Sequence, residues 1–154
     1  MTRSTKPSGE VTPVGPRQPH PRHGTPCPCG SGQSYAACCG PYLDGTALPD
    51  TAEALMRSRY TAYTRRHAAY LKATCHPSTP SPELVLAESV KWLGLRILRR
   101  EAGQTGDSEG QVEFIARYKV GGRAHRLHEV SRFRRFEGRW TYLDGPPGHS
   151  GGGV

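Results

Sequence analysis

The chain is short of what a large hydrophobic core needs: of 154 residues three are Phe, two Trp and two Met, and the hydrophobic share is 34%. So little apolar material supports one modest core with appendages and excludes several large domains. No run of about eighteen apolar residues occurs, so no membrane insertion is expected. The opening stretch "MTRSTKPSGEVTPVGPRQPHPRHG" lacks the apolar segment of an export signal. These absences make a cytoplasmic location the expectation. Acidic residues are scarce as well, 13 against 21 Lys and Arg, for a formal charge of +8. Such a surface attracts polyanions, whether nucleic acid, the ribosome or acidic proteins. A solvated, arginine-rich surface with no specific partner would carry the same charge. No internal repeat is visible.

Residues 1–25 are rich in Pro, Gly and charge and read as a disordered N-terminal arm; the glycine-rich stretch over 147–154 reads the same way. Between them lie a small cysteine knuckle over 26–45 and a folded domain over 46–146. In "LPDTAEALMRSRYTAYTRRHAAYLKATCHP", Asp50 followed by Glu53 resembles a capping box and places the first helical turn at Thr51. Met56, Tyr60, Tyr63, His67, Tyr70, Leu71 and Thr74 recur at spacings of three and four. They form one face of a helix, or of two helices meeting near Arg66. Pro77, Pro80 and Pro82 end it, and "PELVLAESV" is expected to form another short helix.

From Trp92 the period changes to two. In "WLGLRILRR" Leu93, Leu95 and Ile97 alternate with Trp92, Arg96 and Leu98, and in "VEFIARYKV" Val112, Phe114, Ala116, Tyr118 and Val120 alternate with charged positions. Gly121-Gly122 turns the chain into "RAHRLHEVSRFRRF" and Glu137-Gly138 into "RWTYLD". Connections this short exclude parallel crossovers, so the four strands form an antiparallel meander. Helices followed by a meander mean an α+β domain with helices on one face of a curved sheet.

The chain's densest chemistry is in "TPCPCGSGQSYAACCGPY", where Cys27, Cys29, Cys38 and Cys39 are spaced C-x-C-x8-C-C. A tetrahedral zinc site needs two ligand pairs facing each other across a tight loop. Gly30-Ser31-Gly32 supplies the turn after the first pair and can aim amide hydrogens at sulfur. Ser34 can cap a single helical turn carrying Tyr35, Ala36, Ala37 and the second pair, which Gly40-Pro41 would end. In a reducing compartment clustered cysteines are more often metal ligands than disulfides. Four protein ligands leave no open position, so the zinc ion expected here is structural.

"CPCGSGQSYAACCG" resembles the SEC-C motif, a zinc-binding knuckle found at the C-terminus of the bacterial translocase ATPase SecA and in small bacterial proteins. In that family the four ligands correspond to Cys27, Cys29, Cys38 and Cys39. The segments "TAEALMRSRYTAY", "YLKATCHPST", "WLGLRIL", "VEFIARYKVGGRAHRLHEVSRF" and "GRWTYLDG" are similar to the YchJ family of uncharacterised bacterial proteins, over roughly 25 to 146. The resemblance implies a cone-shaped, cystatin-like α+β domain of the nuclear-transport-factor-2 type. Many members carry a second knuckle at the C-terminus, whereas this sequence reads "HSGGGV" there. Typical knuckles also carry lysines where this one has "QSYAA", so any polyanion contact is expected from the arginine-rich sheet or the arm.

Other chemistry is thinner. Cys75-His76 is read as a small buried residue at a helix end beside a histidine, since sequence neighbours rarely adopt nucleophile-base geometry. On a strand His128 and Arg132 share one face, and Glu129 lies on the other with Ser131 and Phe133. Either face could line a pocket walled by Tyr60, Tyr63, Trp92, Phe114, Trp140 and Tyr142, which makes His128, Glu129 and Arg132 the pocket candidates. The alternative is that Glu129 is tied to Arg132, Arg57 or Arg59. Arg57, Arg59, Arg65 and Arg66, with Arg132, Arg134 and Arg135, are the densest basic clusters, but no nucleic-acid motif accompanies them. Three readings follow: a non-catalytic adaptor whose knuckle docks an unknown protein of the translation or secretion machinery, a pocket-based ligand binder or enzyme, and a nucleic-acid binder.

Overall fold

The computed structural model describes residues 25–79 and 90–145. All of the expected arm but Thr25, the tail, and all but Val90 of the helix expected over 82–90 lie outside the described residues, and Val90 opens a strand instead. A 3-10 turn over Tyr35–Ala37 leads into α1 (Gly40–Leu43), followed by α2 (Ala52–Thr64) and α3 (Ala68–Ala73). Four strands complete the chain: β1 (Val90–Ala102), β2 (Glu109–Val120), β3 (Arg123–Phe136) and β4 (Arg139–Asp144). They pair antiparallel in the order β1-β2-β3-β4, the expected meander in an α+β arrangement. At the two tight turns Gly121 and Gly122, then Glu137 and Gly138, all have positive φ, as a type I′ turn requires.

Helix α2 starts one residue later than the capping-box reading placed it. Thr51, in extended conformation, is the cap, and its hydroxyl accepts from the Ala54 amide at 3.0 Å. Glu53 is thereby released to pair with Arg57 at 2.8 Å and with Arg100 on β1. The apolar period does split into two helices near Arg66, which sits at φ 55 between α2 and α3. His67 caps α3, its Nδ1 accepting from the Tyr70 amide.

The alternation on β1 is corrected by two bulges. Register shifts between Trp92 and Gly94 and between Ile97 and Arg99 leave Leu93 and Leu98 as the extra residues. Each faces solvent, at 47% and 42% exposure, and Trp92 joins Leu95 and Ile97 against the core. On β2 the expected inner set holds, with Val112, Phe114 and Ala116 buried. The core gathers Leu55, Leu71, Val112, Phe114, Phe133 and Trp140 between α2, α3 and the concave face of the sheet.

Candidate metal centre and central cavity

The four cysteines converge. Their sulfur atoms all lie within 4.8 Å of one another, with Cys29 to Cys38 at 3.6 Å and Cys38 to Cys39 at 3.9 Å. All are free thiols rather than disulfides. A regular tetrahedron with thiolate bonds of about 2.3 Å has edges of about 3.8 Å, so the cluster fits one ion of zinc's size.

Local structure explains the convergence. The loop turns through Gly30 and Gly32, both at positive φ, and its two arms are joined by bonds from the Cys27 amide to Gln33 O and from the Tyr35 amide to Thr25 O. Ser34 caps the 3-10 turn, accepting from the Ala37 amide at 3.3 Å. Gly40-Pro41 opens α1 instead of ending the preceding turn. The break falls at Cys38, whose φ of -125 and ψ of -96 are not helical, and this swing lets two adjacent cysteines reach one point.

Burial and charge make the cluster a poor home for bare thiols. The Cys39 thiol donating to Cys29 pulls that thiol down to about 4, while burial pushes Cys38 up to about 11. Donation to Cys29 likewise pushes Cys39 upward. One negative charge is therefore shared among neighbours that resist taking more, and a divalent cation is the natural counterweight to four thiolates.

The supporting contacts come from residues that spacing did not single out for this role. The Ser31 hydroxyl lies 3.1 Å from Cys38 Sγ, the Thr61 hydroxyl 3.7 Å from Cys27 Sγ, and Arg57 donates to the Cys29 carbonyl at 2.8 Å. The Arg65 guanidinium stacks 3.8 Å from the Tyr35 ring centre. The knuckle is thus fastened along one side of α2.

On another side of α2 lies a cavity of about 470 Å³, within the range of ligand pockets. Of the six aromatic residues expected as walls, Tyr60, Tyr63, Trp92, Phe114 and Tyr142 line it. Trp140 does not; its ring lies under Arg135 and its indole N–H donates to Asp50 O at 2.9 Å. Tyr60 and Tyr63 flank Trp92 with ring centres 5.7 and 5.8 Å away.

The three pocket candidates separate as their strand parity requires. Glu129 lines the cavity, and its Oε2 accepts from Ser131 at 2.8 Å and from the Tyr142 hydroxyl at 3.3 Å. His128 sits on the opposite face, 2.7 Å from Glu113. Arg132, also on that face, pairs with Asp144 at 2.7 Å. Among the described residues the expected tie between Glu129 and an arginine is not made: Arg57 is held by Glu53, and Arg59 donates to Leu71 O at 2.9 Å and to the Thr74 hydroxyl at 2.7 Å. Arg59 is 5% exposed and lies 4.5 Å from the centre of the Tyr142 ring. Cys75 and His76 have separate partners, Leu71 O and Ser78. The remaining arginines of the basic clusters are engaged too, Arg134 with Glu109 and Arg135 with the carbonyls of Asp107 and Thr105.

Burial pushes the Glu129 carboxyl above its ordinary value of 4.5, against the pull of Ser131, Tyr142 and Arg59. Burial also raises Tyr63, and Tyr60 to about 12. For Glu129 the native state holds the proton more tightly than the unfolded chain, so this group's contribution to stability falls as pH rises from about 4.5 through the native titration. Glu129→Gln keeps the acceptor without the charge. It should melt higher than wild type at pH 8, with the difference closing toward pH 4; a difference independent of pH would refute this assignment.

Comparison with known proteins places these features together. Residues 51–145 match the family described as "YchJ, middle NTF2-like domain", and residues 25–41 match the SEC-C motif. The chain belongs to the YchJ family. A UPF0225 protein of Chromobacterium violaceum is 57% identical over 123 residues, covering 77% of this chain and 90% of that one. A UPF0225 protein of Ralstonia nicotianae is 50% identical over 139 residues, covering 82% and 94%. The solution structure of a SEC-C motif containing protein from Rhodopseudomonas palustris is 38% identical, with a TM-score of 0.71 over 80% of this chain and 98% of that one. A crystal structure of a SEC-C motif containing protein from Psychrobacter arcticus is 28% identical with a TM-score of 0.64, covering 82% and 84%. The YchJ fold is therefore an NTF2-like α+β domain behind an N-terminal SEC-C knuckle, and among its described residues no helix is long and apolar enough to cross a membrane.

Proposed function

We propose that this YchJ protein binds a small molecule in its central cavity and that zinc held by Cys27, Cys29, Cys38 and Cys39 braces the wall of that cavity. The observation that carries the reading is Glu129, a half-buried carboxylate facing aromatic walls and steadied by Ser131 and Tyr142, with no arginine ion pair among the described residues. Structural polar groups in a filled core are consumed by one another; convergent polar groups in an apolar cavity are what orient a ligand. When bound, zinc supplies a cross-link between the two halves of the knuckle, and four thiolates leave it no position for substrate. The contacts of Arg57, Thr61 and Arg65 support a role for the knuckle inside the fold. They do so more directly than they support docking on another protein.

Titration with indole, an uncharged planar probe, tests the cavity. Addition of indole should shift the methyl resonances of Met56, Ala116 and Leu127, which line it, and Ala116→Phe should abolish the response by filling the space. Shifts confined to methyl groups elsewhere would overturn the proposal.

A further inference from the structure

The cavity contains two opposite charges that do not quench each other by contact. Among the described residues Arg59 donates from NH1 to Leu71 O, the Thr74 hydroxyl and Cys75 Sγ, and a further hydrogen bond joins it to Tyr63 on the cavity wall, so the guanidinium is held at the edge of the cavity it lines. Both donors to Glu129 land on Oε2, so Oε1 accepts from no described residue. Arg59 and Glu129 line the same space, one on α2 and one on β3, with Tyr142 between them: its ring lies under the guanidinium and its hydroxyl donates to the carboxylate.

This arrangement discriminates by charge. A ligand with only a carboxylate would meet Arg59 but bring a second anion to Glu129. An amine would satisfy Glu129 and face the buried guanidinium. A molecule bearing both, a few ångströms apart, satisfies each group with its complement, and charge-assisted bonds in a desolvated site are the strong ones. The third rim charge, Asp144, is already paired with Arg132. What remains of the lining is apolar and aromatic, Tyr60, Trp92, Phe114 and Leu127 among it, and about 470 Å³ is ample for a ring.

We propose that the cavity takes a free α-amino acid with a large apolar side chain, its carboxylate on Arg59, its ammonium on Glu129 and its side chain against the aromatic walls. This rests on the reading of the cavity as a ligand site.

Calorimetric titration of the metal-loaded full chain with L-phenylalanine, phenethylamine, 3-phenylpropanoate and indole separates the two levels. L-phenylalanine should bind about tenfold more tightly than either single-charge analogue, the scale of one lost charge-assisted bond. In Glu129→Gln, L-phenylalanine should weaken by a similar factor while 3-phenylpropanoate holds or tightens; melting of the variant confirms its fold. If either analogue matches L-phenylalanine, or the preference survives in Glu129→Gln, the amino-acid assignment is wrong; indole binding then keeps the ligand-site reading alive. If none of the four binds, both are wrong.

Discussion

Replacing Cys39 with serine is expected to abolish stoichiometric metal binding and to lower the melting temperature by about 10 °C or more, a loss in the class of removed metal sites. The hydroxyl does not replace a thiolate in a site whose four sulfurs all lie within 4.8 Å of one another. Three remaining sulfurs would lack the charge and geometry to retain the ion. The damage should spread, because the knuckle is anchored to α2 by Arg57 on the Cys29 carbonyl and by Thr61 beside Cys27. Ala37→Ser, at an exposed position in the same turn, is the control and should leave both readouts unchanged. Metal analysis by mass spectrometry beside a melting curve decides the matter: equal metal in wild type and Cys39→Ser would remove the centre. Acidification should release the ion from wild type as thiolates are protonated.

The position of α2 links the two halves of the molecule, and part of this was legible in the sequence. In "MRSRY" two arginines are two residues apart, about 200 degrees around a helix, so they cannot serve the same surface. Arg57 and Thr61, four apart, turn to the knuckle, whereas Met56, Arg59, Tyr60 and Tyr63, at spacings of three and four, turn to the cavity. The helix period was plain in the residues; which charge went to which side was not, since that depends on where the knuckle docks. The strands were legible for the same reason: β3 and β4 are bounded by two-residue turns, and the period of two puts Glu129 and Ser131 on the inside. The bulges at Leu93 and Leu98 were not, because an extra residue in an edge strand leaves no mark in an apolar run. The four cysteines that converge were readable from spacing alone, whereas Ser31, Thr61 and Arg57 became visible only once the chain had folded.

Arg59→Met should destabilise the protein by about 3 kcal/mol, the scale of leaving buried hydrogen-bond partners unsatisfied. Methionine can fill much of the volume but cannot donate to Leu71 O and Thr74, which the guanidinium holds at the end of α3, nor stack on Tyr142. Loss of this cation should also push Glu129 further up, because Arg59 is one of the groups opposing burial there. The two effects separate in a double-mutant cycle with Glu129→Gln. If Arg59 and Glu129 interact through the cavity, the double variant should be more stable at pH 8 than the sum of the single changes implies, by about 0.5–3 kcal/mol. The excess should vanish near pH 4, where the wild-type carboxyl is protonated in either background. Strict additivity at both pH values would mean that Arg59 only pins α3. A coupling that appears with the carboxylate's charge would instead place an interacting pair of opposite charges inside an aromatic cavity, which is the electrostatic condition for an amphoteric ligand.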